Sequence, residues 1–171
     1  MTTKINSFAK INLSLNIIKR LPNKYHEIES LVSFINLCDV IKIKEINHNR
    51  HRVFFYGKFS KGIGKNNSIS KLLKFLGKKI IENKKFEIKV KKNIPQKSGL
   101  GGGSMNAASV LKYFINKKIA IISKKKVFEL ANKIGSDTIL GMEKRNSIIL
   151  KNGKLRRTRS SLNFHVLIVK P

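Results

Sequence analysis

Apolar and polar residues alternate, imperfectly, over residues 4–19 (KINSFAKINLSLNIIK), the period of a half-buried strand pair. HEIESLVSFI and DVIKIKEI carry the same two-residue period and predict two further strands around a turn near Cys38 and Asp39, while RVFFYG and KFEIKVKKNI read as short strands. The period then lengthens. In NSISKLLKFLGKKIIENK the apolar positions 69, 72, 73, 76, 80 and 81 share one helical face, and Asn67 or Ser68 supplies the cap. MNAASVLKYFI predicts a helix to about Ile115, and SKKKVFELANKIG a second one closed by Gly135. NSIILKNGKLRR and FHVLIVK read as closing strands, with Asn152-Gly153 a type I′ hairpin signal. Strands first and helices over one face predict an α+β fold, and neither a repeat nor a low-complexity linker interrupts the chain.

Composition narrows the class. A chain of 171 residues with 41% apolar side chains is long enough for one domain with its own core. Lys4 and Lys10 break the N-terminal apolar run, and no stretch approaches the roughly 18 apolar residues of a membrane span, so a cytoplasmic protein with no membrane partner is expected. The single Cys38, in INLCDVI, reads as a small core residue. The formal net charge of +28, from 37 Lys+Arg against 9 Asp+Glu, makes an RNA-binding module the rival class. The basic residues are nevertheless spread along the chain, and runs such as SKKKV and RRTR lack interleaved aromatics, so they read as solvated faces and specific nucleic-acid binding is not expected.

Candidate chemistry begins with NIPQKSGLGGGSMNAA, residues 93–108, which places four glycines within five positions ahead of a helix. Such a loop turns backbone N–H groups toward one concavity at the positive end of a helix, an arrangement suited to phosphate. It is neither a P-loop, since Gly-x4-Gly-Lys-Ser/Thr occurs nowhere, nor a G-x-G-x-x-G turn, since the sixth position is Ser104 or Asn106. Three other places hold polar groups. Lys10 lies inside the apolar alternation FAKINLSL, as an exposed strand residue or the wall of a pocket. Asp137 follows a glycine in IGSDTIL, as an N-cap or a functional acid, and Tyr25-His26 follows LPNK in a loop.

The order and spacing of AKINLSLNI, KYHEIESL, PQKSGLGGGSMNAA and IGSDTIL resemble the GHMP kinase superfamily, and within it the kinases of 4-diphosphocytidyl-2-C-methyl-D-erythritol, over essentially the whole chain. The resemblance implies a ribosomal protein S5 domain 2-like fold over residues 1–160, with 161–171 opening a second lobe that the family continues beyond this point. It implies transfer of the γ-phosphoryl of ATP, brought as the Mg²⁺ complex and with no protein metal site, to a hydroxyl of the methylerythritol unit of a small cytidine diphosphate substrate. Asp137 and Lys10 would be catalytic. Pro95, Gly99, Leu100, Gly101, Gly102, Gly103 and Ser104 would hold the ATP phosphates, with Asn67 and Lys92 at the adenine. Asn12, Tyr25 and His26 would face the cytidine end. Two positions depart from the family pattern: Met105 stands where a second serine is common, and Thr138-Ile139 where Val-Pro is common.

Overall fold

The computed structural model describes residues 1–20, 26–81, 84–151, 154–158 and 164–169, the side chains of 78 and 79 excepted. Two long strands organise it: β1 (Thr2–Arg20) and β2 (His26–Ile46), paired antiparallel over their whole length. Neither is the strand pair expected from the sequence. Where a turn near Cys38 and Asp39 was expected, β2 runs on through a bulge: between the pairs Phe8↔Cys38 and Lys10↔Phe34, Ala9 alone stands opposite residues 35–37. A bulge absorbs the break in alternation that reads as a turn in one dimension.

The other edge of β2 is shared. Residues 40–46 pair with β4 (Lys85–Lys91), and residues 30–32 pair with β5 (Ser147–Ile149). The parallel strand β3 (Arg52–Tyr56) extends the sheet beyond β4, and β6 (Leu155–Arg157) pairs antiparallel with β5. Asn152-Gly153 lies outside the described residues; the flanking strands pair Ile149 with Leu155, a register one residue away from the one a two-residue turn at 152–153 would set. Between the β5 and β4 contacts, residues 33–39 of β2 meet no strand on this edge among the described residues, and there the chain leaving β4 turns into the glycine loop.

Among the described residues, four helices complete the fold: α1 (Ser68–Ile80), α2 (Gly102–Asn116), α3 (Lys124–Ile134) and the single turn α4 (Thr138–Gly141). Asn67 caps α1 by accepting from the Ser70 N–H at 2.9 Å. Gly135 ends α3, its N–H bonded to the Ala131 carbonyl. The core lies between the helices and one face of the sheet, joining Ile41 and Ile43 of β2, Phe86, Ile88 and Val90 of β4, Leu72 and Leu76 of α1, and Val110 and Phe114 of α2. These are the positions the two periods selected. Residues 164–169, expected as a strand, are not in a ladder among the described residues: Val166 and Ile168 border a cavity shared with residues 34–37, and Leu167 and Val169 are more exposed still. Cys38 is half-buried with a free thiol rather than a core residue. No helix among the described residues is long and apolar enough to cross a membrane.

Candidate active site

The glycine loop is built for close approach. Gly101 adopts φ 69°, a left-handed conformation that costs a side-chain-bearing residue about 1–2 kcal/mol, and from it α2 starts with no side-chain cap. The first N–H groups of α2 therefore keep their hydrogen-bonding capacity for something else, unlike those of α1 and α3, which Asn67 and Ser123 cap. At Gly102 the constraint is space: a Cβ there would stand 3.1 Å from Ile94 Cγ2 and 3.2 Å from Lys92 Nζ.

A cleft of about 580 Å³ opens over this helix end, and Lys10, Asn67, Lys92, Ser104 and Asp137 are among the residues lining it, together with the glycine loop from Pro95 onward. A second cavity of about 550 Å³ shares Phe55, Ile63, Gly64 and Asn67 with it.

Lys10 is buried, although it sits on a strand with exposed residues beyond it. Its main-chain N–H donates to Leu100 of the glycine loop at 3.1 Å, which ties β1 to the loop. Its ammonium donates to Asn12 Oδ1 at 2.6 Å and lies 3.3 Å from Asp137 Oδ2. Asn12 is held in turn by donating to Ser30 Oγ at 2.6 Å, so both ends of its amide are engaged within the chain. Asp137 occupies the N-cap position of α4, yet its carboxylate makes no capping bond and turns to Lys10 instead. Of the two readings left open for Asp137, the helix cap is the one the geometry removes.

The turn that carries Asp137 is braced from behind by a residue that sequence reasoning left in a solvated run. Arg157 Nη2 donates to the Ile139 carbonyl at 2.9 Å, and Nη1 lies 3.2 Å from the Leu140 carbonyl, 3.3 Å from that of Glu143 and 2.8 Å from Ser147 Oγ. Burial pulls its guanidinium below the ordinary value, Glu143 opposes the shift and Arg145 adds to it. Met105 is buried against Val32 and Leu140, so α2 uses this position for packing. Thr138 is fully buried, and its hydroxyl has no partner among the described residues.

The structure brings Lys10, Asp137, Pro95, the residues from Gly99 to Ser104, Asn67 and Lys92 to one cleft, with Asn12 directly behind Lys10. His26 is not brought there. It is exposed at the far end of the ribbon opposite Arg20, eight residues before Phe34, the partner of Lys10, and so roughly 27 Å away along the strand. Tyr25 lies outside the described residues.

Residues 67–144 match the model of the GHMP kinases N terminal domain. A curated relative from Pelagibacter ubique (strain HTCC1062), named 4-diphosphocytidyl-2-C-methyl-D-erythritol kinase, is 53% identical over 98% of this chain and 60% of its own length. The chain is similar to the GHMP kinases. Among solved structures, a 4-(cytidine 5'-diphospho)-2C-methyl-D-erythritol kinase superposes with a TM-score of 0.73 at 25% identity, over 91% of this chain and 55% of its own. The mevalonate kinase of Methanococcus jannaschii, at 17% identity, shares the fold with a TM-score of 0.62 over 94% of this chain and 56% of its own. The α+β architecture is therefore that of a GHMP kinase N-terminal domain, and this chain spans about 60% of the Pelagibacter relative's length.

Proposed function

We propose that this chain is a GHMP kinase and supplies the ATP-binding part of an enzyme that phosphorylates the 2-hydroxyl of 4-diphosphocytidyl-2-C-methyl-D-erythritol. The observation that carries the reading is the Lys10–Asp137 pair, 3.3 Å apart at the mouth of the glycine loop. An RNA-binding module has no use for a buried cation and a carboxylate converging on an uncapped helix end. The substrate is supported by the name of the 53%-identical relative.

In this reading the N–H groups of Gly102, Gly103 and Ser104 bind phosphate oxygens, and the cavity beyond Asn67 takes the adenine. The substrate hydroxyl oxygen forms a bond to the γ-phosphorus as the bond to the bridging oxygen breaks and ADP leaves. Asp137 aligns the hydroxyl and receives its proton, while Lys10 offsets the negative charge that develops between them. An ion carried mainly by phosphate oxygens would find the Ser104 hydroxyl and the Asp137 carboxylate as the chain's oxygen donors at the cleft. Magnesium, when bound, neutralises phosphate charge. Residues 1–160 would form this ATP-binding domain and 161–171 the start of a second; the boundary falls outside the described residues.

The test joins this chain to the remaining part of the Pelagibacter relative and follows ³¹P resonances with Mg-ATP and the cytidine diphosphate substrate. A new phosphomonoester signal, matched by ADP, is expected. ATP turnover with a different alcohol, and none with this one, would overturn the substrate assignment.

A further inference from the structure

The buried stripes of β2 and β4 end in charge. Along β2 the helix-facing positions run Ile43, Ile41, Asp39, and along β4 and its extension they run Phe86, Ile88, Val90, Lys92; the ladder ends at Val40↔Lys91, and one step beyond it the side chains of Asp39 and Lys92 meet. On the other side, Ser7 of β1 is the partner of Asp39. Ser7, Asp39 and Lys92 thus form a row across the sheet, nearly inaccessible, and Asn106 of α2 lies over it.

Asp39 is saturated. Oδ1 accepts from the main-chain N–H groups of Asn93 at 2.8 Å and Ile94 at 2.9 Å, which fixes the run into the glycine loop. Oδ2 accepts from Asn106 Nδ2 at 2.9 Å and from the Lys92 ammonium. Lys92 lines the cleft and its ammonium abuts Gly102, whereas Asp39 lies behind it, away from the cleft. The pair is therefore a fixed dipole with its positive end toward the uncapped start of α2, in surroundings where water screens little.

We infer that Asp39 is a positioning residue of the nucleotide site: without touching the ligand, it holds Lys92 beneath Gly102 and sets the entry of the glycine loop, so that a buried cation adds to the pull of the α2 N–H groups on phosphate. This inference rests on the nucleotide reading above. A buried carboxylate shared by a lysine, an asparagine and two main-chain N–H groups has a purely structural alternative, and the two separate experimentally.

Asp39→Asn keeps an oxygen for the two N–H groups, and Asn106 Oδ1, which has no partner among the described residues, can accept from the new amide once its own amide turns over. The variant thus removes the charge with little change of shape and leaves the Lys92 ammonium buried alone, which is costly. Asp39→Asn/Lys92→Met removes both charges. Binding of Mg-ATP to the intact chain is measured by calorimetry, and stability by urea denaturation. Asp39→Asn is expected to lose both stability and affinity. The double variant is expected to recover stability while its ATP affinity stays down by about tenfold or more. Recovery of affinity together with stability would overturn the inference. Gly102→Val separates the two readings. If the wild type binds Mg-ATP, Gly102→Val does not, and the double variant binds as the wild type does, only the role of Asp39 fails. If the wild type binds no Mg-ATP, the nucleotide reading fails and takes this inference with it.

Discussion

A Cβ on Gly135 would stand 2.8 Å from the hydroxyl of Ser104. Gly135 has φ 172°, extended backbone open to any residue, so it is the neighbour rather than the torsion that demands glycine here. The end of α3 and the start of α2 are in this way pressed together beside the cleft. Gly135→Ala is expected to force Ser104 from its rotamer and cost about 1–2 kcal/mol of stability. Ser104→Ala in the same chain should return most of that cost, which a double-mutant cycle by urea denaturation measures. An additive pair would mean that Ser104 is not the clash.

Arg157 ties three carbonyls of the turn behind Asp137 to the β5–β6 hairpin. Arg157→Lys keeps a cation but loses the fork that reaches several acceptors. In the joined enzyme, kcat should fall about tenfold or more with little change in the KM for ATP, because the turn carries Asp137 whereas in the proposed function phosphate is held by α2. Guanidinium added to Arg157→Ala should restore part of the lost rate. A rise in the KM for ATP as large as the fall in kcat would contradict this assignment.

His51 connects stability to pH. Its Nδ1 accepts from the Phe86 N–H at 3.2 Å and its ring stacks parallel to that of Phe86, with centroids 6.1 Å apart. Burial first, and the Lys85 charge second, lower its pKa from the ordinary value of 6.5. The unfolded chain therefore takes up the proton at higher pH than the folded one. Stability from this group is complete above about pH 6.5 and is lost as pH falls through the lowered value. Urea denaturation between pH 7.5 and 5 should show a decline that His51→Phe flattens.

How much of this was legible follows from the kind of signal each residue leaves. The helix caps and the glycine loop were readable because their chemistry is local: Asn67 bonds within its own first turn, and Gly101 needs its own φ. Lys10 and Asp137 could be singled out in sequence, but their meeting depends on the bulge opposite Ala9 and on the main-chain bond from Lys10 to Leu100, neither of which alternation reveals. Asp39 was misread as part of a turn. Its signal was present in the stripe Ile43, Ile41, Asp39, and becomes clear only once the matching stripe that ends in Lys92 is set beside it. Arg157 hid in a basic run, because in a chain with 37 Lys+Arg one engaged guanidinium resembles its solvated neighbours.

The central claim is that Asp137 acts on the transferred group while the glycine loop binds nucleotide. It is tested most directly by comparing Asp137→Asn with Gly102→Val in the joined enzyme, measuring Mg-ATP affinity by calorimetry and single-turnover phosphoryl transfer side by side. Asp137→Asn removes the group proposed to align the reacting hydroxyl, and should slow transfer about a hundredfold or more while leaving affinity nearly unchanged. Gly102→Val places bulk against Lys92 Nζ and Ile94 and should chiefly abolish affinity. Equal loss of ATP affinity in the two variants, or transfer that survives in Asp137→Asn, would contradict the account.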